Sequence, residues 1–186
     1  ALMVIDGTQS VGALPFDVQA LRPDALVCAG YKWLLGPYSI GVAYYGPAFD
    51  GGAPIEENWI NRRDSEDFKN LVRHQPEYQP QAGRYSVGEQ SNFILVPMLR
   101  RALEQILDWG PANIQHYLLE IAGEPLAQLR DLGCRLEGED SRAHHLFGIR
   151  LDDHFDAEQL HAAMQREQVY VSYRGSAVRV APHVYN

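Results

Sequence analysis

The sequence has no apolar run long enough to cross a bilayer, which takes about 20 consecutive residues. Cysteine is scarce: Cys28 and Cys134 are the only two in 186 residues. That is too few for a disulfide framework, and no metal-ligand spacing accompanies them. A surplus of cations is missing too. The formal net charge is -8, whereas a nucleic-acid surface needs clustered Lys and Arg. The opening residues ALMVI carry neither a basic leader nor a small-residue cleavage site, so no signal peptide is expected there. These shortages point to a reduced, cytoplasmic protein that handles neither nucleic acid nor membrane. Cys28, inside the run ALVCAG, reads as a small buried hydrophobe.

What is present is an ordinary globular composition, 46% hydrophobic and 22% charged, which excludes wholesale disorder. The length suits one large domain or one and a half smaller ones. The chain enters an apolar run at Ala1 and stops at APHVYN with no closing helix or polar tail. A segment of a longer polypeptide is the expectation.

Two continuous apolar runs, LMVID (2–6) and ALVCAG (25–30), have the form of buried parallel strands. Between them TQSVGALPFDVQAL has room for one or two helical turns, broken at Pro15. SIGVAYYG (39–46) supplies a third strand, rich in β-branched and aromatic residues. From Gly51 to Gly83 the periodicity disappears. A segment of that length is functional or disordered, and Trp59, Phe68, Tyr78 and the Arg62-Arg63 pair favour a packed, functional loop.

Residues 91–110 form a helix that opens on a Ser/Asn cap, holds Pro97 in its first turns and ends at Gly110. The next helix, 111–133, starts with Pro and ends at Gly133. Its apolar stripe is Ile114, Leu118, Ile121 and Leu126 or Leu129, with a kink at Gly123 and Pro125. Then come a strand (144–151), an amphipathic helix (156–168), an alternating strand (169–174) and a final strand in SAVRVAPHVYN. That succession is a small α+β unit with its own sheet. The expected division is 1–108 for an α/β domain and 109–186 for the small unit, incomplete at its end.

Chemistry gathers at two strand ends. Asp6 closes the first apolar run, either as a turn residue bonding its own backbone or as a carboxylate kept anionic in a cleft. Taken alone, the turn reading is the stronger. Lys32 follows the second run among Tyr31, Trp33, Leu34 and Leu35. It is either a snorkelling side chain or an amine partly withdrawn from water, able to act as a nucleophile and form a Schiff base. Its context alone leaves both readings standing. His144-His145 is a poor metal site, since neighbours on a strand point to opposite faces. His183 reads as structural.

Together, DGTQSVG, CAGYKWLLGP and the following SIG resemble the pyridoxal-phosphate attachment region of class V aminotransferase-type enzymes of fold type I. That family includes cysteine desulfurases, selenocysteine lyases, kynureninases, serine–glyoxylate-type aminotransferases and isopenicillin epimerases. The likeness extends through RYSVGEQSNF, the WG junction and YRGSAVRVAPHVYN. The fold it implies is α/β: part of the large, mainly parallel cofactor-binding domain over 1–108, followed by the small C-terminal α+β domain over 109–186.

The resemblance also implies roles. Lys32 holds pyridoxal 5'-phosphate as a Schiff base and shuttles a proton. Asp6 pairs with the pyridine nitrogen, Gln9 bonds the phenolic oxygen, and Tyr31 donates its hydroxyl to the phosphate, in the manner of kynureninases. Arg174 grips the substrate α-carboxylate, with Arg179 a weaker candidate. Arg84 belongs to the active-site wall or the dimer contact.

The phosphate site departs from the desulfurase pattern. Ala29 and Tyr31 stand where that pattern has serine and histidine. Gly88-Glu89 stands where a glycine–threonine pair reaches a phosphate across the dimer interface. A glutamate there repels phosphate, which leaves Gln90 or Asn92 as substitutes.

Desulfurases of the family use a mobile-loop cysteine near the substrate arginine, and residues 169–186 contain none, so sulfur transfer is disfavoured. The implied function is a PLP-dependent aminotransferase acting on an amino acid or keto acid, in a homodimer. A kynureninase- or desulfurase-like lyase or an epimerase is the alternative. A relative that has lost catalysis and serves as a binding module is the reading from another class, and an unrelated α/β ligand-binding domain ranks below these.

Overall fold

Residues 1–152 and 155–186 are described in the computed structural model, and the chain falls into two units, Ala1–Asp108 and Trp109–Asn186. The first unit is built on β1 (Val4–Asp6), β2 (Ala25–Ala29) and β3 (Gly41–Tyr45), in the order β1-β2-β3. β1 runs parallel to β2, with Asp6 opposite Val27, whereas β3 runs antiparallel to β2. The mainly parallel sheet expected for this region is therefore parallel in one pair only. The cause lies in the connections. Residues 7–24 are long enough to cross over and include a short helix, α1 (Val18–Leu21), capped by the Asp17 carboxylate on Gln19 N–H and Ala20 N–H. Residues 30–40 contain only turns, which bring the chain back beside β2 in the opposite direction.

Alternation along the strands gives the sheet two faces. One is covered: Leu26 and Cys28 pack with Leu34 and Leu99, flanked by Ile5, Ile40 and Tyr44. Leu99 comes from α2 (Leu95–Trp109), whose first amides are capped by Asn92, with the Leu95 N–H 2.8 Å from its side-chain oxygen. On the other face Val4 is 61% and Val27 51% exposed. Strands expected to be buried on both sides are thus covered on one side within this chain.

Residues 51–90 fold around a polar centre. Asn61 is fully buried and donates its amide to the Glu56 carbonyl at 2.7 Å. Arg63 N–H reaches the Glu77 carbonyl at 2.9 Å, and Gln79 N–H reaches that of Asn61 at 2.8 Å. These bonds close the segment on itself, and Trp59 meets Phe68 edge-on.

In the second unit α3 (Pro111–Asp131) runs through Gly123 and Pro125 without a break, although Pro125 has no N–H to give the preceding turn. Ile114, Leu118 and Leu126 are buried on one side of it, while Ile121 is 37% exposed and leaves the expected stripe. The sheet is β4 (Phe147–Arg150), β6 (Ala177–Val180) and β5 (Ser172–Arg174), in the order β4-β6-β5 and antiparallel throughout. The predicted strand at 169–174 is reduced to Ser172–Arg174, and the final one stops at Val180. α4 (Ala157–Arg166) is capped by Asp156. Leu126, Cys134, Phe147, Ile149 and Val178 form the core, with Leu160 against it. Each large apolar side chain buried there contributes about 1.5–3 kcal/mol.

Candidate active site

Because β1 and β2 are parallel neighbours, their carboxyl ends lie at the same edge, and the turns that follow them face one cavity of about 630 Å³. Its lining includes Asp6, Thr8, Val27, Ala29, Tyr31 and Gly41. Asp6 is on the uncovered face, beside Val27. The Thr8 N–H lies 3.0 Å from its Oδ1, and the Thr8 Oγ1 accepts the Ala29 N–H at 3.1 Å. Thr8, through its side chain first and its backbone N–H second, lowers the Asp6 carboxyl from the ordinary carboxylate value, so it is anionic at neutral pH. Asp6 makes the turn bond to the Thr8 N–H and also lines the cavity.

The second turn carries Tyr31 and Lys32. Its backbone is closed twice, by Gly30 N–H on the Ile40 carbonyl (2.9 Å) and Gly36 N–H on the Gly30 carbonyl (2.8 Å). Trp33 and Leu34 are buried and anchor it. Gly12 holds it from the first turn: its φ is +92°, and a Cβ there would lie 2.6 Å from the Trp33 carbonyl oxygen. Only a residue without a side chain allows that approach. The two sequence motifs are therefore in backbone contact. Tyr31 faces the cavity and stacks on Tyr38, ring centroids 4.2 Å apart. Lys32 is half-buried, with its Nζ 5.6 Å from the centroid of the Tyr31 ring.

Asp6 and Tyr31 thus share the cavity, and the Lys32 amine lies beside the tyrosine that lines it. Gln9 is half-buried in the turn after β1; neither it nor Lys32 is among the lining residues. Arg174 is in the second unit, exposed at the end of β5, with one guanidinium N–H on the Tyr173 carbonyl at 2.9 Å. Arg179 is half-buried on β6, opposite Gly148 and Ser172.

Three of the residues considered for the site wall and the phosphate contact have bonding partners within the first unit. Arg84 is engaged inside the first unit, donating to the Gly52 carbonyl at 3.0 Å and lying over Tyr78. Asn92 uses its side-chain oxygen to cap α2. Gly88 already gives its N–H to the Glu56 carboxylate, 2.5 Å away. Thr8 and Tyr38 were missed in the sequence. The hydroxyl two positions after Asp6 was the available signal for the first; nothing local marked the second. In the second unit, His145 is buried with its Nδ1 3.1 Å from the Gln115 amide nitrogen. Among the described residues no three His, Cys, Asp or Glu side chains gather to hold a metal, and no helix is long and apolar enough to cross a membrane.

The family profile described as Aminotransferase class-V matches residues 1–184. The chain belongs to the class-V aminotransferase family. An uncharacterized aminotransferase of Schizosaccharomyces pombe is 28% identical, over 99% of this chain and 46% of that protein. A cysteine desulfurase of Synechococcus elongatus is 31% identical, over 98% of this chain and 27% of that protein. A solved structure of a C-DES variant, with glycine covalently linked to its PLP cofactor, matches with a TM-score of 0.74 at 18% identity. It covers 98% of this chain and 47% of that one, and at this identity the likeness concerns the fold. The chain spans less than half the length of these relatives.

The fold is that of the fold-type I PLP enzymes, mixed α/β, and the family cofactor is pyridoxal 5'-phosphate. The side chains of the cavity and of the adjoining Lys32 turn fit it. Asp6 is an anion suited to a protonated pyridine nitrogen, Tyr31 offers a hydroxyl to a phosphate, and Lys32 offers an amine to an aldehyde. Ala29 has no hydroxyl to give.

Proposed function

We propose that this class-V family member is the cofactor-binding part of an aminotransferase that exchanges the amino group of a small amino acid with a keto acid. The observation that carries the reading is the anionic Asp6 facing one cavity with Tyr31, with the Lys32 amine beside that tyrosine. When bound, PLP supplies a positively charged ring that withdraws electrons from the substrate α-carbon. The chain supplies the rest. Lys32 holds the cofactor covalently and moves a proton at the α-carbon. Asp6 keeps the pyridine nitrogen protonated, Gln9 hydrogen-bonds the phenolic oxygen, and Tyr31 donates to the phosphate. Arg174 binds the substrate carboxylate, for which a planar guanidinium gives two parallel donors. On this reading residues 1–108 belong to the large domain and 109–186 to the small C-terminal domain of a cytoplasmic homodimer.

A lyase is the second reading, favoured by the 31% identity to a cysteine desulfurase. Against sulfur transfer, the desulfurase form of that reading, stand the two thiols of this chain. Cys28 and Cys134 are both buried, and burial pushes both upward from the ordinary thiol value; for Cys28 the Asp6 charge adds to this. A thiol kept protonated in an apolar setting is a poor nucleophile for sulfur.

The test is a panel of amino acids offered to the PLP-loaded, full-length protein with a keto-acid acceptor. Aminotransfer produces a keto acid from the donor and a new amino acid from the acceptor in equal amounts. Sulfide released from cysteine, or elimination products without amino exchange, would establish the lyase instead. No turnover of any substrate by protein that holds the cofactor would leave a binding module.

A further inference from the structure

We propose that Thr8 is a positioning residue for Asp6, tying the carboxylate at the end of β1 to the backbone at the end of β2 so that the anion is aimed at the cofactor nitrogen. The inference rests on the role proposed for Asp6 above. The Thr8 Oγ1 accepts the Ala29 N–H at 3.1 Å, across two parallel strands. With an oxygen lone pair engaged there, the hydroxyl proton is left to give, and the Thr8 side chain lowers the proton affinity of the Asp6 carboxylate that its own backbone N–H holds. The Thr8 backbone N–H donates to that carboxylate at 3.0 Å. One residue therefore bonds the Asp6 carboxylate through its backbone and the end of the neighbouring strand through its side chain. The β-branch limits the rotation of that side chain.

The arrangement matters because Asp6 is exposed within this chain, and an exposed carboxylate is otherwise free to turn between rotamers. Thr8 also lines the cavity, so it fixes the anion from inside the site. The other titratable groups lining the cavity are Cys28, beneath the sheet surface, and Tyr31 across it, with Lys32 beside Tyr31. A turn residue of purely structural value would hold β1 and β2 together without affecting the protonation of a bound cofactor. That difference is what the experiment reads.

T8V keeps the size and branching of the side chain and removes the hydroxyl; T8S keeps the hydroxyl and removes the methyl. Full-length protein and both variants are prepared free of cofactor and titrated with PLP. After loading, the visible cofactor band is followed across pH, and kcat and KM are measured separately. T8V is expected to fix PLP on Lys32 as the unaltered protein does, but to bind it more weakly, with a displaced pH transition and kcat lowered roughly ten- to hundred-fold at little change in KM. T8S is expected to restore all three. The proposal is overturned if T8V matches the unaltered protein in affinity, spectrum and kcat, or if T8S falls as far as T8V. Should T8V fail to fold, T8A is read by the same measurements. If the unaltered protein fixes no PLP on Lys32, the functional reading itself fails. If it does and T8V behaves normally, only the role of Thr8 fails.

Discussion

Replacing Gly12 by alanine should cost far more than one methyl group usually does. At φ +92° an alanine is forced into a backbone region L-residues avoid, and its Cβ would lie 2.6 Å from the Trp33 carbonyl oxygen, with the carbonyl carbon at 3.0 Å. Strain of this kind costs about 1–3 kcal/mol. Relieving the contact means displacing backbone, an overpacking penalty of about 1–3 kcal/mol. Alanine also restricts the unfolded chain, which returns about 0.4–1 kcal/mol. Taking the middle of each range, the balance is a loss of about 3 kcal/mol. Gly51→Ala is the control: no atom lies within 4 Å of the added Cβ, and the change should stay within about 0.5 kcal/mol. Urea unfolding of the full-length protein measures both. At a slope of about 2 kcal/mol per molar, G12A lowers the midpoint by about 1–2 M while G51A hardly moves it. Since Trp33 follows Lys32, G12A should also impair PLP capture. Equal midpoints for the two variants would refute the claim that Gly12 holds the lysine turn in place.

Leu126→Ala removes a buried side chain from the core of the second unit and should cost about 2–5 kcal/mol in the same unfolding measurement. Asn61→Ala deletes the amide that holds the Glu56 carbonyl, at about 1–3 kcal/mol. Limited proteolysis should then cut within residues 56–79 before other sites, and an unchanged pattern would count against Asn61 as the centre of that segment. His183 predicts a pH effect. Burial holds its imidazole below the ordinary value of 6.5, so as pH falls the unfolded chain takes up this proton first. Its contribution to stability is therefore full above 6.5 and declines as pH drops toward the folded value. Comparing urea midpoints at about pH 7.5 and about pH 5.5, His183→Gln should show a smaller acid loss than the unaltered protein.

Much of the secondary structure was legible because it depends on neighbours in sequence. Asn92 and Asp156 mark helix starts through bonds to amides two or three residues on, and Pro111 fits the first turn of α3. Asp6 and Lys32 were visible as polar residues ending apolar runs. What the sequence concealed depends on contacts between distant residues. An apolar run does not reveal what lies above it, so the exposure of Val4 and Val27 could not be read. The direction of β3 follows from the double closure of the 30–40 turn, which no propensity encodes. The bond from Ala29 N–H to Thr8 needs the register of two strands, and that from Gly88 N–H to Glu56 joins residues 32 apart. Arg84 stands in the sequence as a cation without a visible partner, whereas its bond to the Gly52 carbonyl joins residues 32 apart.

The most direct test of the central claim is to load the full-length protein with PLP, reduce it with borohydride and map the pyridoxyl label. This chain offers two lysines, Lys32 and Lys69. The proposed function predicts one label per chain, on Lys32, with the visible cofactor band lost on reduction. A label on Lys69 or elsewhere, or protein that takes up no cofactor, would contradict it.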